Sequence, residues 1–187
     1  MRPVWIVTAS VAILALLVAF MDWATWMRYD RGDILANWQL WRLLTAHLAH
    51  VGWVHLAANL AGLLVWTALA GSMETARSLV VGLVVTALAV TLGLLVLNPG
   101  VGWYVGLSGV LHGLFAMTAM RLLFRREWLA GCSLVAALGF KLLWEQQHGA
   151  LGTERLIGAP VLVDAHLYGV IAGAACALIL ALFWGRR

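Results

Sequence analysis

Residues 78–120 read SLVVGLVVTALAVTLGLLVLNPGVGWYVGLSGVLHGLFAMTAM, 43 positions without a single charge. A helix crosses the hydrocarbon core of a bilayer with about 20 largely apolar residues, so this stretch is long enough for two crossings. Asn98-Pro99-Gly100 breaks it, since proline lacks the N–H a continuing helix needs and Asn and Gly favour turns. The stretch therefore predicts two membrane helices, about 78–97 and about 107–124.

The rest of the chain agrees with a lipid solvent. Of 187 residues, 64% are apolar and 11% charged, with mean hydropathy +0.94. A soluble domain carries about 45–50% apolar and about 25% charged residues. A 20.3 kDa globule could not hide the excess, which excludes disorder, collagen-like repeats, a coiled coil and a secreted disulfide scaffold. The pI of 9.7 does not point to nucleic acid, because the 12 basic residues are scattered and not interleaved with stacking aromatics. Cys132 and Cys176 fall inside apolar runs and read as reduced packing residues.

Outward from the central pair, Pro3 to Met21 forms one uncharged stretch closed by Asp22. No small-x-small cleavage site follows Phe20, so it reads as a first membrane helix instead of a cleaved signal. Residues 22–42 mix Asp22, Arg28, Asp30, Arg31, Asp33 and Arg42 with Trp23, Trp26, Trp38 and Trp41. That mixture suits a long, partly embedded interfacial loop, and the eleven tryptophans read as interface anchors. A short interfacial segment then runs to about Gly52, followed by a second span at about 53–71. A fifth span, about 128–145, is interrupted by Lys141, and a sixth runs from about Asp164 to Trp184. No internal repeat recurs. The expectation is an all-α, six-helix membrane bundle forming one domain over 1–187.

With the N-terminus inside, Arg2, Arg77, Arg121, Arg125, Arg126, Arg186 and Arg187 lie on the inner side, against five basic residues outside. Two acids accompany the inner group and six the outer one. The excess of inner basic residues predicts cytoplasmic termini.

Polar side chains within a membrane are expensive and face a cavity or each other. On this topology the second, fourth and sixth helices all run from outside to inside. His55 and Asn59 open the second, Ser108 and His112 the fourth, and His166 the sixth. Five hydrogen-bonding groups thus share one depth near the outer leaflet. Ser108 stands in Gly106-Leu107-Ser108-Gly109 at a helix start, where free N–H groups and the positive dipole end stabilise an oxyanion. Gly109 and Gly113 on the fourth helix, and Gly169 and Gly173 on the sixth, repeat a four-residue spacing that lets membrane helices approach closely. Close approach is what an imidazole needs to act as general base on a serine. The Asn59 amide and a His55 N–H are placed to complete an oxyanion site.

These motifs, in this order, resemble the rhomboid intramembrane serine proteases over about 38–176: Gly106 to Gly109, Ala165-His166 before Gly169 and Gly173, and His55 four before Asn59. The Trp41-Arg42 pair also looks like the rhomboid first loop. The resemblance implies Ser108 as nucleophile, His166 as base, and His55, Asn59 and the Leu107–Ser108 backbone as oxyanion hole. It implies no cofactor, a substrate's transmembrane segment as partner, and a bacterial inner membrane with the site opening outward. His112-Gly113 departs from the common pattern, and Ser-Gly-Val-Leu-His-Gly (108–113) looks like the rhombosortase branch. That branch is linked to bacterial surface proteins with a Gly-Gly-containing C-terminal anchor.

Plainer readings stand beside these. Ser108 suits an N-cap, and His47 and His50 suit hydrogen-bonded packing. His112 has three roles open to it: stacking on His166, lining a cleft, or satisfying a backbone carbonyl. Asp164 sits two residues from His166 and so on a different helical face, which predicts a Ser–His dyad whose imidazole is oriented by packing and not by a carboxylate. A metal set of His47, His50, His55 and His112 is the rival chemistry, though no His-Glu-x-x-His is present and no Glu lies on the second, fourth or sixth helix. A small transporter would favour broken helices or an internal repeat, and neither is evident.

Overall fold

A computed structural model describes residues 2–150 and 152–184. Met1, Leu151 and residues 185–187 lie outside the described residues, so the structure carries nothing on the expected inner Arg186 and Arg187. The helices in chain order are α1 (Arg2–Phe20), α2 (Ala24–Met27), α3 (Arg31–Asn37), α4 (Arg42–Thr45), α5 (Trp53–Ala70), α6 (Ala76–Leu97), α7 (Ser108–Phe124), α8 (Trp128–His148), α9 (Thr153–Ile157) and α10 (Val163–Trp184). Five of them, α1, α5, α6, α8 and α10, are long and apolar enough to cross a membrane. The sixth expected span, α7, has 17 residues and falls just short of that length. The fold is a polytopic helical bundle.

The helix boundaries have local causes. Thr75 accepts from the Ser78 N–H while Ser78 Oγ accepts from the Thr75 N–H, a reciprocal cap that starts α6. Asn98-Pro99-Gly100 ends α6, as expected. Inside the bundle α7 is the most enclosed element, packed on α10, α8, α6 and α5. Leu63, Trp66, Leu79, Val110 and Leu114 form the largest buried cluster.

Trp66 departs from the expectation of tryptophans at the interface. It lies mid-helix, is fully buried, and donates from Nε1 to Thr118 Oγ1 at 3.0 Å, a partner across helices that makes its depth tolerable. Cys132 also departs, being exposed on α8, whereas Cys176 is buried and both thiols are free. The reason is that α8 is loosely packed, with only Gly131 and Glu145 fully buried.

The loop from 21 to 52 is folded around Arg42. Its buried guanidinium donates to Gln39 Oε1 (2.7 Å), to the carbonyls of Thr25 (3.1 Å) and Arg28 (2.8 Å), and to Asp33 Oδ2 (2.9 Å). Asp30 caps α3 through the Asp33 N–H. Although its partial burial acts in the opposite direction, this bond and the Arg28 guanidinium hold its carboxyl below the ordinary range. A two-residue antiparallel ribbon, β1 (Tyr29–Asp30) on β2 (Trp103–Tyr104), is the one addition to an all-α expectation among the described residues. It ties this loop to the segment that leads into α7.

Candidate active site

The segment before α7 is irregular backbone held inside protein, the condition under which such backbone persists at membrane depth. The Gly106 N–H donates to Ala46 O (3.0 Å), and Gly106 O accepts from Tyr104 OH (2.8 Å). His47 sits against Gly106 O (3.3 Å) and Ala87 O (3.0 Å). Burial pushes His47 down to about 4, and a neutral ring donates once. Because Tyr104 already serves Gly106 O, the shorter bond to Ala87 O is the natural one.

Gly106 turns the chain at φ +121°, and a Cβ there would lie 2.8 Å from Cε1 and Nε2 of His55. The next residues start α7. Leu107 is buried and stands at the cap position without a side-chain cap, and Ser108 is the first helical residue. The plain N-cap reading of Ser108 therefore does not describe its side chain, which instead meets His166 Nε2 at 2.9 Å. The helix-start N–H groups have no partner within α7, as at any helix end.

The approach of His166 to Ser108 follows from the glycines. A Cβ on Gly109 would lie 2.9 Å from Ala165 O, and one on Gly113 2.8 Å from Gly169 O. A Cβ on Gly169 would overlap Gly109 O, and one on Gly173 would overlap Gly113 O. Backbone meets backbone along the α7–α10 seam, so the side chains above it are drawn together.

One expectation is overturned here. His166 is not surrounded by packing alone, because its Nδ1 lies 2.8 Å from Glu145 Oε2, with both residues buried. Lys141, one turn earlier on α8, is ion-paired with Glu145 Oε1. Sequence reasoning missed Glu145 because the polar groups that share one level in the sequence were sought on the second, fourth and sixth helices, and Glu145 belongs to the fifth. It lies near the C-terminal end of α8, which runs opposite to α7 and α10 and so brings it level with Ser108 and His166. The signal was present in sequence, since Lys141 and Glu145 stand four apart on one helical face in an otherwise apolar span. Asp164 makes no bond to His166. It accepts from Asn98 Nδ2 (2.7 Å) and Gln146 Nε2 (3.2 Å), and so joins α6, α8 and α10.

His112 fills all three roles left open for it. Its ring stacks on His166 with centroids 4.0 Å apart and planes 16° apart, its Nδ1 donates to Ser108 O at 2.7 Å, and it lines the cavity. Asn59 is buried and donates one amide N–H to His55 O (3.0 Å), which leaves its second N–H unassigned. His55 and His50 meet edge to face at 5.0 Å. A cavity of about 660 Å³ collects His55, Asn59, Ser108, His112, Lys141, Glu145 and His166. It continues between α5 (Ala58, Gly62) and α8 (Leu134, Ala137, Leu138).

The four-histidine metal set is not assembled, because His47 is occupied by carbonyls and His112 by His166 and Ser108 O. Another group, His112, Glu145 and His166, brings ligand atoms within 4.8 Å of one another. It does not suit a metal as arranged. An imidazole lone pair lies in its ring plane, and the two planes run nearly parallel, so the lone pairs do not converge on one point. The arrangement suits proton transfer between a hydroxyl and an imidazole backed by a carboxylate.

The fold and this site meet in a known family. The model of the Rhomboid domain matches residues 37–183, and the chain belongs to the rhomboid family. With its apolar helices, that makes it an integral membrane protein. Over 143 residues the chain is 29% identical to a Bacillus subtilis (strain 168) protein named "Putative rhomboid protease YdcA". The match covers 74% of this chain and 66% of that relative, just under two thirds of its length.

Proposed function

We propose that the protein is an intramembrane serine endopeptidase, with Ser108 as nucleophile and His166 as general base. The observation that carries this is the 2.9 Å contact between Ser108 Oγ and His166 Nε2, in a cavity open toward a gap between α5 and α8. Oγ attacks the scissile carbonyl carbon while its proton passes to Nε2. The oxyanion is held by N–H groups at the start of α7, the second Asn59 amide N–H and a His55 N–H. Collapse breaks the C–N bond, and His166 returns the proton to the leaving amine. Water, activated by the same imidazole, then releases the acyl group.

The test is cleavage of a single-span reporter by the purified chain, with parallel labelling by a fluorophosphonate. Ser108→Ala or His166→Ala should each abolish nearly all turnover, and the double variant should lose little more, as expected of residues that act as one unit. Wild-type cleavage by Ser108→Ala would end the serine reading.

For substrate, we propose the outward-facing end of a C-terminal membrane anchor containing Gly-Gly, in a bacterial inner membrane. The support is the Ser-Gly-Val-Leu-His-Gly stretch and the chemistry of the step. A helix hides its carbonyls in hydrogen bonds, so the substrate must unwind before Ser108 can reach one. Each Gly costs a helix about 1 kcal/mol relative to Ala, so a pair eases unwinding by about 2 kcal/mol, roughly 30-fold in exposed population. A reporter whose Gly-Gly is changed to Ala-Ala should be cut correspondingly more slowly. Unchanged cleavage would refute this account of specificity and leave the serine chemistry standing.

A further inference from the structure

We propose that Glu145 is a positioning residue for His166, so that the reacting set is Ser108–His166–Glu145 with Lys141 steadying the carboxylate. The inference rests on the serine-protease reading above and deepens it. Three observations meet in Glu145. It is 2% exposed on a helix where Gly131 is the only other buried residue, so one of the two buried positions on α8 is given to a charged group. Its Oε2 lies 2.8 Å from His166 Nδ1, and its Oε1 is taken by Lys141. Both carboxylate oxygens thus have a partner, as a buried carboxylate requires.

The chemical consequence concerns the tautomer. With Nδ1–H donating to Glu145, the lone pair of the neutral ring falls on Nε2, which faces Ser108 Oγ at 2.9 Å. When Oγ attacks, its proton moves to Nε2 and the ring becomes an imidazolium. The Nδ1 proton stays where it is, opposite the Glu145 charge, and the Nε2 proton later leaves with the amine. Glu145 forms and breaks no covalent bond. His112, stacked on one face of the ring and bonded to Ser108 O, restrains the remaining rotation. The carboxylate nearest in sequence, Asp164, is engaged by Asn98 and Gln146 and does not compete.

The experiment compares the full chain in liposomes with its Glu145→Gln, Glu145→Asp and Lys141→Met variants. It measures kcat and KM on a cleaved reporter, the rate of fluorophosphonate labelling of Ser108, and the melting temperature. Glu145→Gln should lower kcat and labelling together by up to about 10⁴-fold, the scale seen when an orienting carboxylate becomes an amide, with KM nearly unchanged. Glu145→Asp should recover part of the loss, and Lys141→Met should lose less than Glu145→Gln. If Glu145→Gln melts early, the Glu145→Gln, Lys141→Met double variant, which leaves no unpaired charge, takes its place. A folded variant that labels and cleaves like wild type overturns the positioning role alone. A wild-type protein that neither labels nor cleaves overturns the serine reading beneath it.

Discussion

At residue scale, Gly106 is where local geometry is least forgiving. Its φ of +121° lies where side-chain-bearing residues are strained, and its Cα faces the His55 ring. Gly106→Ala should therefore cost about 1–3 kcal/mol and displace His55, seen as a lower melting temperature together with slower cleavage. An unchanged melting curve would show that the loop relaxes at no cost. Arg42 makes the opposite kind of commitment, one side chain holding a whole loop. Arg42→Ala strips hydrogen bonds from Asp33, Thr25 O and Arg28 O. It should destabilise the protein by about 2–3 kcal/mol, the scale of losing hydrogen bonds to a charged group, measured by thermal unfolding in detergent. The sequence already spoke clearly about Ser108, His166, His55 and Asn59, because their spacing and common depth left few alternatives to a shared cavity. It spoke less clearly about Glu145. A Lys–Glu pair near a helix end reads equally as a solvated face, and only the packing of α8 against α10 tells the two apart.

Among the elements, the α7–α10 seam sets the distance between Ser108 and His166. Glycine is costly inside a helix, by about 1 kcal/mol against alanine, yet four glycines are kept where a Cβ would meet a carbonyl or overlap one. Gly173→Ala should force the helices apart, lowering both stability and turnover. Because Gly173 lies two turns from His166, activity lost without any stability loss would contradict the seam's structural role. The helices themselves were legible from charge-free length and the Asn98-Pro99-Gly100 turn. The short elements α2, α3, α4 and α9 and the β1–β2 ribbon were not, since tertiary bonds to Arg42 and Tyr104 decide them, not periodicity. Tryptophan shows the same limit: Trp66 has the composition of an anchor and the surroundings of a core residue.

For the whole molecule, the end of the bundle opposite Ser108 carries a second buried acid. Glu74, in the turn between α5 and α6, accepts from Ser78 Oγ (2.6 Å) and pairs with Arg121 of α7 at 2.8 Å without hydrogen-bond alignment. Burial outweighs these partners and raises its carboxyl above the ordinary range. Between its unfolded and folded pKa the folded state binds more protons, so stability falls as pH rises through that window. Glu74→Gln should remove this part of the pH dependence, which melting curves taken from the acid side to neutrality would reveal. Identical slopes in the two proteins would refute it. Topology is tested separately. A cysteine in place of Trp38, which is 77% exposed, in a chain lacking Cys132 and Cys176, should react with a membrane-impermeant maleimide added outside cells. Reaction only after lysis would reverse the proposed orientation.

The glycine seam also has a mechanical meaning. Two helices joined backbone to backbone have few rotamers through which to yield, so that side of the cleft behaves as a fixed jaw. On the other side α8 is pinned near its start, where Gly131 sits against Leu123, and again at Glu145, with open cavity along Leu134, Ala137 and Leu138 between them. A displacement of α8 away from α10 would stretch the Glu145–His166 contact, while the glycine seam would keep Ser108 beside His166.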